Sequence, residues 1–185
     1  MLVDFAAVRA GQITFGDAVR NLQSADLRRA LDELFRAVEA ALTGASDATI
    51  AFTPHDPEAT DHSEQGWPVS HIVAHVTATL EDTLSGAAML ARGVEIKERL
   101  RYETPWESLS TLQKVQARLR ESQRMTRALL DAWPDEPHLE LTVTLIPQLG
   151  PVNAIGLGAL GVAHGQMHID QLRETVRQAN AGQGS

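Results

Sequence analysis

The sequence predicts an all-α fold, a four-helix bundle with long connections between its helices, on three observations. Long stretches carry apolar residues at steps of three and four, the period of a helix with one buried face. Prolines and glycines interrupt the chain between those stretches. The one segment with strand-like alternation, residues 139–145, has no second such segment to pair with, so it reads as an extended loop rather than a sheet.

Taken in order, residues 1–23 form an N-terminal segment in which Thr14-Phe15-Gly16-Asp17 signals a short helix over Ala18 to Leu22. Ser24 offers an N-cap hydroxyl, and Leu27, Leu31, Leu34, Val38 and Leu42 then line one face of a first long helix that Gly44 ends. From Ala45 to Gly66 the chain is rich in Ser, Thr, Asp and Pro, and Pro54, Pro57 and Gly66 forbid a long regular element. His55 and His62 in this connection read as solvated loop histidines. Trp67 opens the second helix with Pro68 in its first turn, Ile72, Val73, Val76, Leu80, Leu84 and Met89 form its apolar stripe, and Gly93 stops it. The charged run from Val94 to Thr104 is a solvated connection. A third helix follows, with two competing starts, at Thr104-Pro105-Trp106-Glu107 or at Ser110-Thr111, and runs to about Trp133 before Pro134. The fourth helix spans about Val152 to Ala179, leaving residues 181–185 as a loose tail.

Composition fits one helical domain over residues 1–185, since the 43% hydrophobic and 22% charged fractions are ordinary for a globular chain. The formal net charge of -8 opposes nonspecific attraction to nucleic acid or an anionic membrane surface. The first residues lack the pattern of a secretory signal and no apolar run is long enough to span a bilayer, so a cytoplasmic protein acting on a small molecule is expected. Without cysteine there is no disulfide, no thiolate metal site and no protein thiol nucleophile, so any sulfur chemistry must arrive on a small molecule.

The histidines carry the functional signal. His71 and His75 lie four apart on the second helix, and His164 and His168 lie four apart on the last, a spacing that puts each pair on one helix face. Seven histidines scattered at random over such a chain would give only about 0.26 pairs of this spacing, so two pairs constitute a pattern. Two readings stay open: a shared metal ion, or histidines that cap, bond backbone carbonyls or face water. On the metal reading, neutral imidazoles without thiolates suit one divalent first-row ion, Zn²⁺ or Ni²⁺ first, with Fe and Mn as further candidates. Three such ligands leave coordination positions open, and the uncompensated charge lowers the pKa of a bound water or thiol. Gly158, Gly161 and Gly165 each cost the last helix roughly 1 kcal/mol against alanine. They imply close approach of another helix, room for a ligand beside the metal, or local packing alone.

Trp67-Pro68-Val69-Ser70-His71-Ile72-Val73-Ala74-His75 resembles a motif of the DinB-like superfamily of bacterial metalloenzymes, and His164-Gly165-Gln166-Met167-His168-Ile169-Asp170-Gln171 is similar to its last-helix motif. Carried over by position, the resemblance implies His75, His164 and His168 as metal ligands, with His71 and Gln171 behind them or facing substrate. It also implies a four-helix bundle, commonly a homodimer, and an activity like that of the family's thiol-dependent S-transferases and mycothiol-dependent maleylpyruvate isomerase relatives, with a low-molecular-weight thiol as cosubstrate. A metal-dependent hydrolase and a noncatalytic metal-binding or stress-response protein are the alternatives.

Overall fold

The computed structural model describes residues 1–57, 65–98 and 102–182, and these are all-helical, with two isolated β-bridges and no strand. Two short helices come first, α1 (Phe5–Arg9) and α2 (Phe15–Val19). Thr14 caps α2 through a reciprocal box with Asp17, so the short helix runs from Phe15 to Val19 and not over the expected Ala18 to Leu22.

The long helix α3 (Ser24–Ala41) buries Leu27, Leu31, Leu34 and Val38 as its stripe predicts. Its cap is Gln23, whose N–H donates to the Asp26 carboxylate at 2.9 Å, so Ser24 is the first helical residue and not the cap. The Pro-rich connection holds one further short helix, α4 (Asp47–Ala51), which packs on later elements. His62 lies outside the described residues, as do Arg99 and Arg101 of the second connection. His55 is exposed, and its backbone exchanges hydrogen bonds with the Gln178 side chain.

Helix α5 (Val69–Ala91) starts one residue beyond Pro68 and is apolar on nearly every side, the pattern of a helix surrounded by protein. It packs most extensively against α7 (Ala154–Met167) and α6 (Leu112–Asp131). Two of its buried threonines bond back to the helix: Thr77 Oγ1 donates to Val73 O and Thr83 Oγ1 to Thr79 O, both at 2.8 Å. Gly93 closes α5 at φ +82°, where the Gly93 and Val94 N–H groups reach back to Leu90 O and Met89 O. Those two bonds need a left-handed residue at Gly93, which glycine adopts without a Cβ penalty.

Of the two starts considered for the third helix, the second is used, with Thr111 Oγ1 accepting from Lys114 N–H. The first motif forms a separate single turn of 3₁₀ helix, Trp106–Ser108. Residues 139–145 form a loop with bends at Glu140 and Leu145 and one bridge between Val143 and Val152. The expected unbroken last helix is divided: α7 ends at Met167 and α8 (Ile169–Gly182) begins beyond His168. There the His168 N–H bonds to Gly165 O, three residues back, instead of continuing the four-residue ladder. Ala181 and Gly182, expected in a loose tail, complete α8, and residues 183–185 lie outside the described ones. Helix α3 packs across α7 and α8 and touches α6, so α5 and α7 form the interior pair. No helix among the described residues is long and apolar enough to cross a membrane.

Candidate metal centre

Close packing of α5 on α7 brings histidines from two helices to one point. His75 Nε2 lies 2.9 Å from His164 Nε2, which lies 3.2 Å from His168 Nε2. Each of the three is partly buried. Among the described residues this is the one group of His, Cys, Asp and Glu with donor atoms close enough together to share an ion.

The donor set fits a cation. Nitrogens about 2.0–2.1 Å from a tetrahedral Zn²⁺ stand roughly 3.3 Å apart, close to the separations seen. Hydrogen bonding points the same way. His168 Nδ1 lies 2.8 Å from Gln171 Oε1, an acceptor, so Nδ1 carries the proton and Nε2 of the neutral ring presents its lone pair to the cluster. One proton on His164 Nε2 serves only one good hydrogen bond, to one neighbour or the other, whereas a cation satisfies all three nitrogens. These residues could therefore hold one divalent ion.

The helix break contributes here. With the backbone tightened between Gly165 and His168, Gln171 sits in the first turn of α8, directly behind the His168 ring. The other ring faces meet tryptophan. Trp67 stacks on His71 at 4.2 Å and on His168 at 6.0 Å, and meets His75 edge-on at 5.0 Å. His71 stacks in turn on Trp106 at 5.5 Å. These near-parallel rings form an apolar wall that fixes ring orientations and limits access of water to one side of the histidines.

His71 stands apart from the three converging nitrogens. Its Nε2 lies 4.0 Å from a carboxylate oxygen of Glu103, whose other oxygen lies 3.7 Å from His75 Nδ1. In the sequence Glu103 is only one charge in a solvated connection. The available signal was its place three residues before Trp106, an aromatic that the chain buries against the histidines.

Burial pushes the His71 pKa below the ordinary imidazole value of 6.5, while Glu103 and Glu107 oppose that shift. A depressed imidazole pKa favours the neutral ring in the fold. The stability it contributes is present above about 6.5 and is lost as pH falls through the lower folded value. A proton NMR titration of the His71 ring is expected to show a midpoint below 6.5, and a midpoint above it would mean that the two carboxylates prevail.

The glycines of α7 face neighbouring helices rather than the metal centre. A Cβ on Gly165 would lie 2.7 Å from Leu34 Cδ2, one on Gly158 2.9 Å from Leu27 Cδ1, and one on Gly161 2.9 Å from Thr83 Cβ. Close packing therefore accounts for all three. A cavity of about 500 Å³ lies further along α5, where Ala78, Gly86, Met125 and Leu157 supply apolar lining. Glu81 lines it too, in a largely buried ion pair with Arg118, whose Nε donates to Thr77 Oγ1 at 3.3 Å. In the chain Ala78 follows His75 by three residues and Tyr102 precedes Glu103, while none of the three histidines lines the cavity.

Fold and site together define an all-helical protein with a three-histidine group able to hold a metal ion. The model of the DinB superfamily matches residues 30–172, most of the chain and all three histidines, and the chain belongs to that superfamily. No curated protein and no solved structure matches it significantly.

Proposed function

We propose that this chain is a divalent-metal-dependent enzyme built on the family's four-helix bundle, with His75, His164 and His168 as ligands, acting as a thiol-dependent S-transferase or isomerase. The observation that carries the reading is the approach of three Nε2 atoms, one with its tautomer set by Gln171. An ion held by three neutral ligands supplies Lewis acidity with coordination positions open, which makes a coordinated thiol or water nucleophilic near neutral pH. Zn²⁺ and Ni²⁺ suit the imidazoles best.

The protein's own groups then divide the work. Gln171 holds the His168 ring by its Nδ1–H, and Trp67 holds the His71, His75 and His168 rings in place and keeps water from one side. The cavity beyond Ala78 receives the body of a small substrate, with Gly86, Met125 and Leu157 contributing apolar contact. A homodimer is the assembly expected from the family.

Metal-loaded protein is expected to consume a low-molecular-weight thiol in the presence of an electrophile, with loss of thiol requiring both metal and protein. Assays with glutathione, mycothiol and bacillithiol that all show only the background rate would exclude the transferase reading. A metal-dependent hydrolase would then remain for activity on ester or amide substrates. The cover provided by Trp67 favours a noncatalytic metal-binding role as a second reading, in which the bound ion exchanges no water.

A further inference from the structure

We propose that Glu103 is a positioning residue for the metal centre, the acceptor that fixes the tautomer and orientation of His75. The inference rests on the three-histidine metal site and is independent of which reaction that site performs. A neutral histidine that offers Nε2 to an ion carries its proton on Nδ1, and ligating histidines give that N–H to a carboxylate, carbonyl or water. His168 meets this requirement through Gln171. On His75 the Nε2 atom faces His164, so Nδ1 points away from the three-nitrogen cluster, and a Glu103 oxygen stands 3.7 Å from it.

That separation is longer than a hydrogen bond, and a small rotation of a partly exposed carboxylate closes it. Glu103 does not join the metal-binding group itself, whose donor atoms all lie within 4.8 Å of one another. Its place is behind His75. The chain holds it there by local means: Trp106 stacks on His71, the single turn Trp106–Ser108 is closed by Ser108 N–H to Pro105 O at 2.9 Å, and Leu109 is buried in the core. The second Glu103 oxygen, 4.0 Å from His71 Nε2, gives the carboxylate a second point of attachment. The segment 103–109 therefore forms one wall of the centre and brings one carboxylate to it.

The test is Zn²⁺ affinity of the full chain, measured by chelator competition at fixed pH, for wild type, Glu103→Gln and Glu103→Ala. Glu107→Gln, an exposed acid on the same segment, serves as a control for net charge. Loss of the acceptor in Glu103→Ala is expected to weaken Zn²⁺ binding by about 10–100-fold. Glu103→Gln, which keeps an acceptor oxygen without the charge, should fall between, and Glu107→Gln should match wild type. In the Zn²⁺-loaded protein the His75 Nδ1 proton resonance should lie downfield in wild type and move upfield in Glu103→Ala. Affinities for Glu103→Ala within about threefold of wild type, or an unmoved His75 resonance, overturn the inference. A wild-type protein that binds no Zn²⁺ overturns the metal-site reading and this inference with it.

Discussion

His164→Ala is expected to empty the metal centre. His164 Nε2 is the hub of the group, within 3.2 Å of both other nitrogens, and its loss leaves one donor on α5 and one at the α7–α8 junction. Removing an outer partner of a ligand costs about 10–100-fold in affinity, and removal of a ligand itself should cost at least about 100-fold. Metal analysis of protein purified without an affinity tag should find about one ion per wild-type chain and almost none in the variant. His71→Ala should keep its metal, because the His71 ring nitrogen faces Glu103 and lies outside the group. Thermal melts separate metal loss from unfolding. Added Zn²⁺ should raise the wild-type transition, by the equivalent of about 2.7 kcal/mol at a hundredfold excess over Kd, and leave that of His164→Ala unmoved. Equal metal content in the two proteins would falsify the three-histidine site.

How much of this was legible beforehand depends on how local each cause is. The stripe Leu27, Leu31, Leu34, Val38 declared α3, and Gly93 declared the end of α5, because both signals act within a few residues. The start of α6 was ambiguous for the same reason: two capping motifs stand close together, and only Thr111 caps the helix, while the first segment forms a 3₁₀ turn with no side-chain cap. The break at His168 carried no proline to announce it, and Gly165 reads equally well as a contact residue, which it also is. Motif resemblance singled out His75, His164 and His168, which the structure brings together, whereas spacing alone ranked His71 with them. The place of Glu103 beside His71 and His75 has only a faint signal in the sequence, its nearness to Trp106, because Trp106 stacks on a residue 35 positions earlier. One residue's place in the chain says nothing of such a contact until the helices are assembled.

Gly161→Ala is expected to destabilise the protein and loosen the metal centre together. An added Cβ would fall far inside contact distance of the Thr83 hydroxyl and 2.9 Å from its Cβ. Thr83 is buried, and its hydroxyl is held by Thr79 O, so the side chain has little freedom to swing aside. The substitution gains about 1 kcal/mol of helix propensity but incurs overpacking of about 1–3 kcal/mol, and with a rigid neighbour the upper part of that range applies. A net loss of about 1–2 kcal/mol in denaturant unfolding is the expected result. Gly158→Ala should cost less, since its new methyl would meet the flexible ends of Leu27 and Leu84 rather than a hydrogen-bonded side chain. Thr83→Ala should restore part of the Gly161→Ala loss, with a coupling above about 0.5 kcal/mol in a double-mutant cycle. The functional consequence follows from geometry. Gly161 and His164 share α7, Thr83 and His75 share α5, and the approach of these two helices sets the 2.9 Å between the histidine nitrogens. Helices pushed apart at Gly161 therefore hold the donors too far apart, and Zn²⁺ affinity should fall in Gly161→Ala while the histidines themselves are untouched. Unchanged stability and unchanged affinity would show that the two helices can yield at this point, and that the glycine does not set their spacing.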